Sequence, residues 1–510
     1  MPPLATGIHH VRVRAISPET GGSMTSAPAR KAVIPVLIVL ALAARGMAQD
    51  KAFMSDPRVR DAFDVLDKWL DAEAGYKRFP GLVMAVVHDQ DVVWTASHGY
   101  ANIEAKIPAR PDTIFSICSI SKLFTSVAVM QLRDAGKLQL DDPLSKHLDW
   151  FDIKRTDPKA PPITVRSVMR HSSGLPSESD QPYGGEPDMP WKDLADIVRN
   201  LPGQETLYPP DTYFEYSNLG LSLLGEVVAK VSGRPYGEYI RTRILEPLGM
   251  TDTTPFLPER EYGRRLAVGY GRWERAGDRA RMPFFQARGA TPAAGLASTA
   301  LDLAKFASWQ FRALDNRDAA VLSGYTLREM HRVNWVDWDR KVMWGLGFMN
   351  WRHRDTTLVG HSGGCPGYRT KIALSPKDRI AVIVMINAAD ADVNGYANKP
   401  FDLVVPAVLE AARTPGEGRA APESLRPYTG LYRAHWAETE VFFWQGGLAM
   451  MTLPTDDPAG SIRKLRQVKD NSFKAVRDDG ELGEEVLFEF DAKGAVKWLK
   501  SAGYYSMKAR

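Results

Sequence analysis

Cysteine is scarce in this chain: 510 residues include only two, Cys118 and Cys365. Two cysteines cannot build a disulfide-stapled scaffold or a four-cysteine zinc site. An H-E-x-x-H pair and a paired C-x-x-C are missing too, so neither a metal nor a cofactor is expected. Charge of one sign is lacking as well. The chain has 65 basic and 61 acidic side chains; removing the five basic and one acidic residues of positions 1–48 leaves 60 of each. A neutral remainder gives no electrostatic case for nucleic acid or an anionic membrane as partner. Internal repeats and low-complexity tracts are absent.

Long apolar runs are also wanting near the N-terminus. Ala32 to Ala44 covers 13 residues, short for a bilayer span. It follows the basic pair Arg30-Lys31 and precedes Gly46 and Ala48, small residues at −3 and −1 of a cut after Ala48. This pattern predicts a signal peptide over 1–48, with the uncleaved anchor as the alternative. A start at Met24 would give a more usual signal length, and no cysteine is placed to take a lipid there. The mature protein is expected to be periplasmic or secreted, with no stable membrane span.

The remaining length calls for more than one domain. Val59, Phe63, Leu66, Trp69 and Leu70 recur at helical spacing over 58–74. Gly81–His88 and Val92–Gly99 flank the turn Asp89-Gln90-Asp91 and read as a hairpin. Ser119 to Ala135 reads as a helix ended by Gly136. A helix-rich stretch runs to about 350, then strands at Tyr368–Leu374 and Ile380–Ile386, then a helix at about Phe401 to Arg413. Strands at both ends with helices between predict an α+β domain over 52–413: an antiparallel sheet flanked by helices, plus an all-helical region. A linker follows at 414–423 (T-P-G-E-G-R-A-A-P-E). Residues 424–510, with the hairpin Glu440–Trp444/Leu448–Leu453 and further short strands, predict a small antiparallel β-barrel-like domain.

One sequence pattern carries chemistry. Ser119-Ile-Ser-Lys122 is S-x-x-K at the start of a helix, which places an amine one turn from a hydroxyl. A hydroxyl attacks only when a base takes its proton, and a lysine can be that base if burial lowers its pKa. Ser461-Ile-Arg-Lys464 has the same spacing and is a chance match in the β domain. Tyr216-Ser217-Asn218 lies about 95 residues after Ser119, and His361-Ser362-Gly363-Gly364 about 240 residues after it.

In this order the three motifs resemble those of the serine β-lactamases and penicillin-binding enzymes, and Y-S-N looks like class C β-lactamases and related DD-peptidases. The stretches Ile163–Pro176, Ala294–Thr299 and His361–Tyr368 add to the likeness, which covers about 55–413. The resemblance implies that Ser119 is acylated, that Lys122 and Tyr216 share the proton work, and that Asn218 hydrogen-bonds Lys122 or the substrate. It also implies substrate binding along His361, Ser362, Gly363 and Gly364, with the N–H groups of Ser119 and Gly364 as oxyanion hole. His361 departs from the lysine of most β-lactamases; an acid partner would be needed to keep it charged. The cysteines beside Ser119 and Gly364 are expected either to form a disulfide, as some class A enzymes do at matching positions, or to remain two buried thiols. His171 is expected to stabilise a helix end, and Trp191, Trp335, Trp338 and Trp344 are candidates for pocket walls.

The expected function is that of an exported serine hydrolase acting on a small peptide, amide or ester. The alternatives are a penicillin-binding or sensor protein that acylates without turnover, a β-lactamase, and an inactive scaffold. No feature speaks to oligomeric state.

Overall fold

The computed structural model describes residues 53–179 and 191–509. The expected signal peptide at 1–48 lies outside the described residues. Helix α1 (Pro57–Tyr76) starts on Asp56, whose side chain accepts the Arg58 N–H, with Pro57 in the first turn. Its apolar stripe Val59, Phe63, Leu66, Trp69 and Leu70 is buried. Strands β1 (Gly81–His88) and β2 (Asp91–Asn102) form the expected hairpin. Helices α2 (Ser121–Asp134), α3 (Asn218–Ser232) and α4 (Ala300–Leu314) belong to the helix-rich middle. Strands β3 (Met349–His353), β4 (Thr356–Cys365), β5 (Tyr368–Ser375) and β6 (Ile380–Ile386) follow, and helix α5 (Val393–Arg413) closes the run.

These strands make one antiparallel sheet in the order β2-β1-β6-β5-β4-β3, extended by Ile107–Pro108 at one edge and by Met343–Trp344 and Trp335–Val336 at the other. β1 pairs β6 from Leu82↔Ile386 to His88↔Ile380, so the two ends of the domain meet at the sheet centre. Alternate side chains of β1 enter different cores. Val83, Ala85 and Val87 join the helical side with α2, α3 and α4. Leu82, Met84 and Val86 join the side covered by α1 and α5. The fold is thus the expected α+β arrangement, with the site on the helical side.

Two boundaries differ from expectation. The helix at Ser119 begins as a single 3-10 turn, Cys118–Ile120, before α2 proper. Helix α5 starts eight residues earlier than Phe401, at Val393, and runs through Pro400 and Pro406. A proline inside a helix costs about 3 kcal/mol, and burial of Val393, Tyr396, Ala397 and Phe401 on the sheet outweighs it.

Residues 414–422 hold no helix or strand. After them eight strands close a barrel: β7 (Gly430–Arg433), β8 (Glu438–Trp444), β9 (Gly447–Leu453), β10 (Arg463–Lys469), β11 (Ser472–Val476), β12 (Leu482–Phe490), β13 (Val496–Ser501) and β14 (Tyr504–Lys508). The barrel has its own core of Tyr432, Val441, Leu448, Phe473, Val486 and Phe488. Yet Phe442, Ala449, Met451 and Leu453 point outward into the core beneath α1 and α5. Trp69 Nε1 donates to Thr455 O at 2.8 Å and the Gln445 N–H donates to Asp61 Oδ2 at 3.0 Å across the same face. None of the helices among the described residues is long and apolar enough to cross a membrane.

Candidate active site

The turn carrying Ser119 is fixed from three directions. Before it, Phe115–Ser116 pairs with Ala297–Ser298, and the Ile117 N–H donates to Leu296 O at 3.0 Å. Within it, Ser121 Oγ donates to Cys118 O at 2.6 Å and accepts from Leu296 N–H at 3.0 Å. Across from it stands β4. Cys118 and Cys365 are joined by a disulfide with a Cα separation of 5.7 Å, and Thr370 Oγ1 donates to Ile117 O at 3.0 Å. Gly363 belongs here because a Cβ on it would lie 2.3 Å from Ile117 O. Cys118 itself has φ +49°, unusual for a non-glycine residue, and its disulfide lies beside that strained position. Ser119 itself is 9 % exposed.

Lys122 is fully buried one turn on. Its Nζ lies 3.1 Å from Ser119 Oγ, 2.5 Å from Asn218 Oδ1 and 2.8 Å from Ala293 O. Two of these partners can only accept. A neutral amine donates to both and keeps its lone pair for the Ser119 hydroxyl proton. Burial lowers the Lys122 pKa to about 7, against a smaller pull upward from the Glu178 carboxylate. The amine is therefore poised to accept a proton at neutral pH.

Tyr216 and Asn218 arrive on the N-terminus of α3. Ser217 caps that helix by accepting the Gly220 N–H at 2.9 Å. Asn218 then turns its Oδ1 to Lys122 and donates through Nδ2 to Glu178. The Tyr216 ring lies 4.8 Å from Lys122 Nζ. Burial raises the phenol's pKa, and its hydrogen bond to Ser119 offsets part of that rise. Tyr216 thus stays protonated and is suited to donating a proton. His171 packs on it, its ring centroid 4.5 Å from that of Tyr216, and accepts the Ser217 N–H on Nδ1 at 3.1 Å.

His361 faces this group from β4. Its Nδ1 donates to Ser362 O at 2.5 Å, and its buried Nε2 has no hydrogen-bond partner among the described residues. Its ring lies 5.5 Å from Trp344 and 6.1 Å from Tyr216. Burial first, then the nearby Lys122, pushes its pKa down to about 3. No acid partner holds it among the described residues, so it is neutral, and the charged form that a carboxylate anchor needs is missing. Ser362 is half-buried beside it, and Gly364 is exposed. A Cβ on Gly364 would meet the Arg369 guanidinium at 2.9 Å.

The structure thus gathers Lys122, Tyr216, Asn218, His361 and Gly363 around the Ser119 turn. It also brings in Trp344, one of the candidate wall tryptophans, and two groups that no motif announced, Ala293 O and Glu178. A backbone carbonyl leaves no residue signature, and a lone Glu has no spacing to read. Of the other tryptophans, Trp191 is buried, Trp335 half-buried and Trp338 94 % exposed. Ser461 bonds Thr455 in the barrel, away from this site. No cluster of potential metal ligands occurs among the described residues.

Residues 66–405 match the family model described as Beta-lactamase. A protein named flp from Staphylococcus aureus (strain N315) is 27% identical over 64% of this chain and 63% of its own length. The chain therefore spans under two thirds of the first curated relatives it matches. An octameric penicillin-binding protein homologue from Pyrococcus abyssi superposes with a TM-score of 0.57 at 26% identity, covering 87% of this chain and 99% of its own. D-amino acid amidase from Ochrobactrum anthropi SV3 gives a TM-score of 0.56 at 28% identity, covering 69% and 99%.

Proposed function

Because this chain belongs to the beta-lactamase family, we propose that it is an exported serine hydrolase that cleaves a small peptide, amide or ester through an acyl ester on Ser119. The observation that carries this reading is the 3.1 Å contact between Ser119 Oγ and a buried lysine with a pKa of about 7. Lys122 takes the Ser119 proton as the oxygen attacks the acyl carbonyl. The N–H groups of Ser119 and Gly364 receive the developing oxyanion. The phenol of Tyr216 protonates the leaving group and is reprotonated from Lys122. Water then repeats the sequence in reverse on the ester. Asn218 and Ala293 O hold the lysine on this path throughout. Export rests on the N-terminal sequence pattern alone.

The neutral His361 favours substrates without a carboxylate beside the scissile bond, and the likeness to a D-amino acid amidase supports an amide. A carboxylate-bearing substrate, as in a peptide ending in D-alanine, is the alternative. A panel of a D-amino-acid amide, a p-nitrophenyl ester, a D-Ala-D-Ala peptide and nitrocefin separates these. The amide and ester are expected to turn over faster than the two carboxylates. A fluorophosphonate should label the wild type and not Ser119→Ala; equal labelling of both would remove Ser119 from the mechanism.

A further inference from the structure

We propose that His171 is a positioning residue that aims the Tyr216 phenol. The proposal rests on the proton-transfer role given to Tyr216 above. His171 grips the chain on both sides of that tyrosine. Its carbonyl accepts the Glu215 N–H at 2.8 Å, and its Nδ1 accepts the Ser217 N–H at 3.1 Å. Its ring covers the residue between, 4.5 Å from the Tyr216 ring at 34°. Trp344 backs the imidazole edge-on at 4.9 Å and Phe214 at 5.8 Å. His171 therefore holds the backbone on both sides of Tyr216, while Pro176 O and Ser177 O hold the start of α3 beside it; Asn218, which holds Lys122, follows two residues on.

Packing alone does not ask for this arrangement. A buried apolar ring would fill the space, but it would leave the Ser217 N–H without an acceptor. The backbone of His171 sits at φ +58°, a conformation disfavoured for most side chains and kept only where surroundings enforce it. The acceptor also requires an uncharged imidazole, because a proton on Nδ1 would cancel it. His171 is 1 % exposed, and burial first, then the proximity of Lys122 and His361, holds its pKa well below the usual imidazole range.

Three variants test the proposal. His171→Asn keeps an acceptor near the Nδ1 position and tolerates a positive φ. His171→Phe keeps the ring and loses the acceptor, and Tyr216→Phe supplies the second background. Each is assayed on a p-nitrophenyl ester for kcat and KM, with fluorophosphonate labelling of Ser119 and a thermal melt alongside. General acid–base groups contribute about 10²–10⁴-fold. His171→Phe is expected to lower kcat about 10²-fold with KM within about threefold, and His171→Asn to recover about tenfold of that loss. In the Tyr216→Phe background neither change should alter kcat more than about twofold, since groups acting as one unit are not additive. The same fractional loss in both backgrounds, or an unaltered kcat for both single variants, overturns the proposal. Should His171→Phe fail to fold, the His171→Asn cycle carries the same comparison. A wild type that no probe labels at Ser119 instead overturns the acyl-serine reading.

Discussion

Among the described residues Lys122 has no carboxylate in direct contact, only a hydroxyl and two carbonyl oxygens. That is why burial can bring its pKa to about 7. Below that value the ammonium donates to all three neighbours and has no lone pair for Ser119. kcat/KM is therefore expected to rise with pH along a single limb centred on about 7, then level off. The groups facing Lys122 do not confuse the limb: His171 and His361 stay neutral and Tyr216 stays protonated across it. Glu178 acts only to raise the midpoint slightly. A pH–rate profile between 5 and 9 checks this; a limb entirely above 9 would mean that Lys122 is cationic at rest. At this scale the sequence was informative where residue types stand at fixed spacing: Ser119, Lys122, Tyr216 and Asn218 do meet in space. It was silent where the partner is backbone, as at Ala293 O. His171 was placed as a helix-end residue: its backbone follows the short helix Val165–Met169, and its side chain accepts from Ser217, the cap of α3.

Strand β4 and the nucleophile turn touch closely enough that one methyl group decides their spacing. Gly363→Ala would put a Cβ 2.3 Å from both Ile117 O and Thr370 Oγ1, and neither a backbone carbonyl nor a buried threonine yields easily. Overpacking of this kind costs about 1–3 kcal/mol. The variant is expected to melt several degrees lower and to lose most of its activity, because the shift separates Gly364 from Ser119. Gly364→Ala meets only the end of the Arg369 side chain and should melt near wild type. Differential scanning calorimetry with an esterase assay distinguishes them, and equal melting of both would show that the turn can move away. Elements were legible in the sequence in proportion to their burial pattern. β1 and β6, apolar throughout, were plain; β10, with one buried residue among seven, was not. Nor were β7 and β14, four and five residues long. The start of α5 was hidden by Pro400, which reads as a breaker until the sheet beneath it is known.

The barrel closes on itself yet shares a core with α1 and α5, so we propose that its topology is separate and its stability is not. Ending the chain at Arg413 would expose the apolar bed now covered by Phe442, Met451 and Leu453. The shortened protein is expected to bind a hydrophobic dye and to unfold at lower denaturant. A truncated protein with the midpoint and activity of the full chain would show that this contact is dispensable. The composition of 414–423 indicated where the pattern changes but could not show which outer barrel residues are apolar for a neighbour's sake. The pairing of β1 with β6 has a consequence for how the molecule is made. Residues 82 and 386 are register partners, so the ribosome delivers one side of the central ladder about 300 residues before the other. Until then the hairpin of β1 and β2 offers an open apolar edge with nothing native to bond. Contacts this distant in sequence make folding slow and expose such edges to association. A nascent chain of this design cannot close its central ladder until residue 386 has emerged, so the apolar edge of β1 stays open to association for most of synthesis.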